Sequence, residues 1–322
     1  MFRPAPRLRT GRRPRGGPPA ACLLAAALAA CACAPGAPAA APETTVTSAA
    51  AAPATPDADA LRRADRPELP DPDAPIPKNA ARVAKDLEET TAALYDAVDA
   101  WVDGGAKTPP PEPVALLALH HQRIHRALAR RPALAERVFD RLPERLARSA
   151  RDNVTAIRGL LSLARPTDDP DRFRIRPPRP PGELMRHFKR AERRFGVAWE
   201  VLAAVMFVET KFGRVRSPSH TGAKGPMQFM PRTWEAYGMG GDIHDTGDAV
   251  LAAANYLRAS GAPRDYRRAL YAYNHSYAYV DAVQAYARQI KRDRRAYYAY
   301  YNWQVFILTT KGERRVSGPG IG

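Results

Sequence analysis

The sequence predicts a mainly α-helical protein with a short β-hairpin near its C-terminal end. Three observations support this fold class. Apolar residues recur at three- and four-residue spacing through most of the chain after residue 80, which is the spacing of an amphipathic helix. Helix-capping residues and clusters of proline or glycine separate these stretches. Only residues 303–316 are rich in β-branched and aromatic side chains, around Lys311-Gly312, and a hairpin is expected there.

Residues 1–33 are predicted to be an export signal that ends in a lipid attachment site. Six arginines precede the first acidic residue, and an apolar run over 20–30 follows them, as is typical of a secretory signal. The run is shorter than the roughly 20 residues that a spanning helix needs. The sequence Leu-Ala-Ala-Cys ending at Cys31 resembles the bacterial lipobox, which implies a lipid anchor at the outer face of the cytoplasmic membrane, in the cell envelope. Signal cleavage without lipidation near Ala34 is the alternative.

Residues 34–79 are predicted to be a disordered tether. They are rich in Ala, Pro, Thr and Asp and contain few large apolar side chains, so they cannot bury enough surface to order themselves. Their prolines favour an extended spacer. The three cysteines, Cys22, Cys31 and Cys33, all precede this segment. The folded part is therefore expected to be stable without disulfides.

A small helical bundle is predicted over residues 80–165. Apolar stripes with short connections indicate four helices, over 80–102, 114–130, 133–141 and 143–164. A Pro-rich linker over 166–182 then separates the bundle from a second helical region over 183–296, and residues 297–322 form a C-terminal extension.

Three histidines, His120, His121 and His125, lie on the second helix of the bundle. His121 and His125 are one turn apart, a spacing that suits a metal ion. No third ligand and no HExxH pattern accompany them. We interpret them as part of a solvated basic face, and neither a metal site nor a cofactor is expected.

The second helical region contains a carboxyl group in unusual surroundings. Residues 197–209 are almost wholly apolar, and Glu200 and Glu209 are their only charged residues. A carboxyl at the end of such a helix is expected to be partly buried, and burial raises its pKa. A carboxylic acid that stays protonated near neutral pH can donate a proton to a leaving group.

Helix boundaries in the rest of this region follow from local signals. Pro231 is placed to start a short helix that holds Trp234 and Tyr237. Asp245 can cap a helix that runs through residue 258. Ser276 can cap the last helix, whose inward side chains are expected to be Tyr279, Val283, Tyr286 and Ile290.

Three blocks of this region resemble the lytic transglycosylase (SLT) domain. They are Glu209-Thr210, the turn-rich sequence Gly-Ala-Lys-Gly-Pro-Met-Gln-Phe-Met-Pro over 222–231 with its continuation to Trp234, and Ala272-Tyr273-Asn274. They occur in the family's order, and the resemblance covers about residues 183–295. The resemblance implies a goose-lysozyme-like, mainly helical fold.

The resemblance also implies a peptidoglycan lytic transglycosylase in which Glu209 is the sole catalytic residue. This glutamate would protonate the oxygen of the MurNAc-β-1,4-GlcNAc bond. As a carboxylate it would then take the proton of the C6 hydroxyl, which closes on C1 and leaves a 1,6-anhydro end. Tyr273 is expected to hydrogen-bond Glu209. The positions that match the family's substrate-binding residues are Ser219, Gln228, Met230, Tyr273 and Asn274.

Two departures from the family pattern and two alternatives accompany this assignment. Thr210 stands where Ser is usual and keeps a hydroxyl, while Pro226 stands where Leu is frequent. A hydrolytic muramidase on the same fold would need a second carboxylate; residues 210–234 contain none, which favours the one-carboxyl route. Candidates beyond that stretch are Glu235, Asp242, Asp245 and Asp248. The alternative of another class is a non-catalytic peptidoglycan-binding lipoprotein.

The formal net charge of +17 favours anionic partners. Nucleic acid is not expected, because neither zinc-finger spacing nor an RNP-like aromatic motif is present. The expected partners are peptidoglycan strands, the membrane through the lipid anchor, and a component of the cell-wall machinery docking on 80–165.

Overall fold

The structure, a computed structural model, describes residues 69–321. The export signal, Cys31 and the tether up to residue 68 lie outside the described residues. The described chain is mainly helical and ends in an antiparallel hairpin, as predicted. Its elements are α1 (Ala80–Asp103), α2 (Glu112–Ala129), α3 (Pro132–Phe139), α4 (Glu144–Ser162), α5 (Pro181–Phe195), α6 (Trp199–Thr210), α7 (Pro231–Tyr237), α8 (Thr246–Ala259), α9 (Tyr266–Tyr273), α10 (Tyr277–Arg292), α11 (Arg295–Tyr301), β1 (Phe306–Thr309) and β2 (Gly312–Arg315).

Side-chain caps determine where several helices begin. The side chains of Asn79, Asp245 and Ser276 accept backbone amide protons from the first turns of α1, α8 and α10, which satisfies donors that have no partner within the helix. The predicted caps at Asp245 and Ser276 are confirmed. Helices α9 and α11 were not predicted from the sequence; both are short and rich in tyrosine, a residue of only moderate helix propensity.

The helices on either side of the Pro-rich segment share one hydrophobic core. Helix α4 packs along α10, and α2 contacts both α1 and α4. Gly159 permits the close approach of α4 to α10, because a Cβ atom there would lie 3.3 Å from the backbone oxygen of Ala278. The opposite side of α10 contacts α6. The N-terminal bundle therefore braces the helix against which the glutamate-bearing helix packs.

The histidines of α2 are buried, so their interpretation as a solvated basic face is wrong. His120, His121 and His125 expose only 7%, 5% and 1% of their surface. Helix α2 contacts α1, α3, α4 and α11 and therefore has little solvent-facing surface. Histidine is polar, but an imidazole with a hydrogen-bond partner can lie in a core. Asp86 supplies one such partner, 2.9 Å from His120 Nε2.

A directional chain of hydrogen bonds fixes the protonation state of His125. Its Nδ1 donates to the backbone oxygen of His121 at 2.8 Å, so its Nε2 is left as an acceptor for Asn153 Nδ2 at 3.3 Å. Asn153 Oδ1 in turn accepts a proton from the Tyr300 hydroxyl at 2.6 Å. Burial lowers the pKa of His125 to about 4. This chain joins α2, α4 and α11 through a neutral imidazole.

Aromatic side chains fill the centre of the shared core. Phe207 of α6 stacks on Tyr300 at 5.1 Å between ring centroids and meets Tyr286 edge-on at 4.8 Å. Trp303 contacts the same ring at 5.9 Å. All four rings are buried, and such contacts add to the free energy gained by burial. Because Phe207 is two residues before Glu209, this cluster fixes the position of the end of α6.

The described parts of the segments predicted as linkers lie against the core. Leu69 and Ile76, within the predicted tether, pack on it, and the Arg123 guanidinium donates to backbone oxygens of residues 72–74. In the Pro-rich segment, Ile175 forms an antiparallel bridge with Val215, in the loop that follows α6.

The C-terminal hairpin is confirmed. Strands β1 and β2 pair in register from Phe306–Arg315 to Thr309–Gly312. Glu313 of β2 forms ion pairs with Arg126 and Arg130 of α2, which attach the hairpin to the bundle. Between residues 69 and 321, every helix is too short or too polar to span a bilayer.

Candidate active site

Helix α6 is almost wholly apolar and carries Glu209 in its last turn. It packs against α5 and α10 with most of its side chains buried. The helix ends abruptly because Lys211, Phe212 and Gly213 all have positive φ, at 52°, 59° and 80°. Two of these are not glycine, and left-handed backbone costs roughly 1 kcal/mol at such residues. Strain of this kind is often found at functional sites.

Glu209 is half-buried, at the end of a helix whose other side chains are mostly buried. Burial raises the pKa of Glu209 to about 8. Two weaker effects lower it: the Tyr279 hydroxyl donates to Oε1 at 2.7 Å, and the Lys211 ammonium lies near enough to favour the carboxylate. At neutral pH this carboxyl group is therefore mainly protonated. When it is ionised, Tyr279 and Lys211 stabilise the carboxylate.

Lys211 lies directly behind the glutamate in the sequence. Its Nζ donates to the backbone oxygen of Phe207 at 3.1 Å and lies 4.3 Å from the centroid of the Phe207 ring. Burial lowers the pKa of Lys211 to about 8, while the Glu209 carboxylate raises it and the charge of Arg214 lowers it. The lysine is thus held against α6 as a cation whose charge acts on Glu209.

The Gly-Pro-Met-Gln loop adopts one defined conformation. Lys224 and Phe229 exchange two backbone hydrogen bonds of 2.9 Å, which close a tight turn. Gly225 has φ 76°, and a Cβ atom there would lie 1.9 Å from the backbone oxygen of Ile243, so only glycine fits. Gln228, at φ 50°, donates through Nε2 to the backbone oxygen of Gly225 at 3.0 Å.

Two hydroxyl groups attach this loop to the helices around it. Thr210 Oγ1 donates to the backbone oxygen of Pro226 at 2.7 Å and accepts from the Gly213 amide at 2.9 Å. The Tyr273 hydroxyl donates to the backbone oxygen of Met227 at 2.7 Å. The hydroxyl retained at Thr210 therefore positions the loop relative to Glu209. Pro226, within the loop, is buried.

The tyrosine that hydrogen-bonds the glutamate differs from the one expected. The sequence assigned this bond to Tyr273, whose hydroxyl proton is directed at Met227, and the structure gives it to Tyr279 of α10. Tyr279 was predicted only as an inward residue. Its predicted inward position was a usable signal, because a buried tyrosine usually has a hydrogen-bond partner for its hydroxyl.

The remaining expected residues lie in the turns that flank the loop and in the connection between α9 and α10. Ser219 is buried, and its Oγ accepts the amides of Thr221 and Ala223 at 3.2 and 3.0 Å, which shapes the turn before the loop. Met230 is half-buried and precedes α7. Asn274 is buried between α9 and α10, and its backbone oxygen accepts the Ser276 amide at 2.7 Å.

The candidate second carboxylates have local roles. Asp245 caps α8, and Asp248 Oδ2 accepts the Asp242 amide at 3.0 Å. Asp242, Asp245 and Glu235 are exposed. Within residues 69–321, the groups that act on the pKa of Glu209 are Tyr279 and Lys211, with no carboxylate among them.

A mainly helical domain with one shielded glutamate beside a rigid polar loop has the construction of a lysozyme-like, glycan-cleaving domain. Residues 186–296, which include Glu209 and the loop, match the Transglycosylase SLT domain family. The assignment implies lytic transglycosylase activity on peptidoglycan. Neither a curated protein nor a solved structure matches the chain.

Proposed function

We propose that this protein cleaves the MurNAc-β-1,4-GlcNAc bond of peptidoglycan and leaves 1,6-anhydroMurNAc ends, with Glu209 acting first as acid and then as base. The observation that carries the proposal is the environment of one carboxyl group. Burial raises the pKa of Glu209 to about 8, and no carboxylate of the described chain contributes to that pKa. In this proposal a single group serves both proton transfers, for which a pKa near the working pH is suitable.

In the first step Glu209 gives its proton to the glycosidic oxygen as the bond to C1 breaks, and GlcNAc leaves with a new hydroxyl. Positive charge develops at C1 of the MurNAc residue. In the second step the C6 hydroxyl bonds to C1, and its proton returns to the Glu209 carboxylate. No water is consumed, and the enzyme ends in its starting protonation state.

The groups around Glu209 stabilise its carboxylate between these two steps. Once the proton has left, the carboxylate accepts the Tyr279 hydrogen bond of 2.7 Å and is favoured by the Lys211 charge. Charge-assisted hydrogen bonds are about twice as strong as neutral ones, so Tyr279 stabilises the carboxylate more than the acid. The loop attached by Thr210 and Tyr273 gives the substrate a preformed surface, on which Gln228 and Met230 are the proposed contacts.

Product masses distinguish this route from hydrolysis. Purified peptidoglycan is digested with the protein, and the released muropeptides are weighed. Anhydro ends are expected; reducing ends that carry an added water would instead identify a muramidase, in which a second carboxylate activates water. Absence of released fragments would favour the non-catalytic peptidoglycan-binding alternative.

We also propose that the protein is exported and anchored through Cys31. The support is the basic and then apolar sequence that precedes this cysteine. Expression in a lipoprotein-processing bacterium with labelled palmitate should label the wild type but not Cys31→Ala, with Cys33→Ala as the matched control. Equal labelling of all three would place the anchor elsewhere, and labelling of none would indicate simple signal cleavage.

A further inference from the structure

A cavity lies against the loop that follows α6. Its volume is about 710 Å³, and its walls come from the α1–α2 connection, the Pro-rich segment and the C-terminal tail. Arg214 lines it, whereas Glu209 and the Gly-Pro-Met-Gln loop do not. The cavity is therefore separate from the candidate active site, although the two share the Lys211–Arg214 turn.

The charged side chains that line this cavity are all basic. Arg214 is buried, exposing 7% of its surface, and burial lowers its pKa to about 10. Its Nη1 donates to the backbone oxygen of Tyr301 at 2.6 Å. Across residues 69–321, no carboxylate lies within ion-pair distance of Arg214 or Arg176, which also lines the cavity, and no lining residue is acidic. A buried cation without a counter-ion is costly and is normally paired.

The remaining walls are apolar and stiff. Five prolines line the cavity together with Ile175, Val316 and Ile321: Pro109, Pro110, Pro177, Pro178 and Pro319. Ile321 is 44% exposed at the rim. Proline fixes its own φ, so walls of this kind lose little entropy when a ligand binds. The lining suits an apolar body, and the Arg214 guanidinium suits an anionic head.

We propose that this cavity binds an organic carboxylate with an apolar body, the carboxylate pairing with Arg214 and Arg176 and the apolar part packing on the prolines. Arginine matches the planar, two-oxygen geometry of a carboxylate better than lysine does. Such a ligand could come from a fatty acid or from the free end of a peptide with small apolar side chains, and both present the same chemistry to the cavity.

Titration calorimetry of the full protein with two pairs of probes tests the proposal. The pairs are hexanoate with hexanamide, and N-acetyl-alanyl-alanine with its C-terminal amide. At least one carboxylate should bind, and its amide should bind about tenfold more weakly, since a charge-assisted hydrogen bond to a buried cation is lost. The carboxylate that binds more tightly identifies the lipid or the peptide source. The proposal is overturned if neither carboxylate binds or if acid and amide bind alike.

Variants assign the binding to the cavity. Arg214→Gln should abolish it, but this change also removes a buried hydrogen bond and could unfold the chain. Ala115→Phe fills the cavity from the partly exposed side of α2 and should abolish binding while the arginines remain. Arg176→Gln should weaken binding by about threefold, as expected for an exposed charge. Arg174→Gln is the matched control, because Arg174 is exposed and lies outside the lining. Unchanged binding in Ala115→Phe would place the ligand elsewhere.

Discussion

Glu209 at the end of α6 and His125 in α2 are both titratable groups in apolar surroundings. They differ in solvent exposure and in the hydrogen bonds that they form with the protein. His125 uses both ring nitrogens within the protein and exposes 1% of its surface. Glu209 accepts a hydrogen bond from Tyr279 and is half-buried. Burial displaces the pKa of each toward the neutral form. A perturbed pKa alone therefore does not identify a functional group; a perturbed pKa in a group that solvent can still reach is the stronger indication.

The largest expected effect comes from replacing Glu209 by a residue that cannot transfer a proton. Glu209→Gln keeps the shape of the side chain but can neither give nor take a proton, and general acid–base catalysis contributes about 10²–10⁴-fold per step. Release of soluble muropeptides should fall by at least about 10³-fold, while binding to intact sacculi persists. Glu200→Gln, in the first turn of the same helix, is the control and should keep full activity. Substantial turnover by Glu209→Gln would move the acid to another residue.

The buried histidine should make the fold sensitive to acid. The pKa of His125 is about 4 in the folded protein, against 6.5 as its ordinary value. Because the folded pKa is depressed, the unfolded chain binds more protons between these values, and stability is lost as pH falls from 6.5 to 4. The contribution of this residue is about 3 kcal/mol.

Urea denaturation of the wild type and of His125→Leu across this pH range provides the measurement. The variant should be less stable at pH 7 yet lose less stability on acidification. His275→Gln removes an exposed histidine and should follow the wild type. Parallel pH curves for wild type and His125→Leu would show that the imidazole already shares its proton with solvent in the folded state.

At Glu209 the same linkage has the opposite sign. Its folded pKa, about 8, is above the ordinary value of 4.5, so the unfolded state releases its proton first and stability is lost as pH rises from 4.5 to 8. Glu209→Gln should therefore become more stable than the wild type over this range. The gain should reach roughly 1–3 kcal/mol once the partial exposure of the side chain is discounted. Thermal unfolding at pH 4.5 and 8 measures the gain, and a constant difference would contradict it.

The two regions also differ in how far the sequence predicted them. The end of α6 was accessible because its signals are local: an unbroken apolar run, one terminal glutamate and a glycine-rich loop nearby. The tyrosine that holds this glutamate is 70 residues away, and sequence spacing does not reveal such a contact. The histidines were misassigned because the sequence alone does not distinguish a buried, hydrogen-bonded imidazole from a solvated one. Helix α11 was missed because its run of tyrosines is placed by packing on Phe207 and Trp101 rather than by helix propensity.

The smallest effect tests the distant tyrosine itself. Tyr279→Phe removes the hydrogen bond that lowers the pKa of Glu209, so that pKa should rise above about 8, by up to about one unit for a hydrogen bond to a charged group. The alkaline limb of kcat/KM, where the acid is lost, should then move to higher pH. Turnover at neutral pH should fall only modestly, because the protonated acid is already the main form while the carboxylate intermediate loses one stabilising contact. Tyr277→Phe, an exposed tyrosine two positions earlier on α10, should leave the limb in place. A merely structural role for Tyr279 would lower activity at all pH values without moving the limb, and a shift to lower pH would mean that the hydroxyl accepts the proton of Glu209 instead of donating to it.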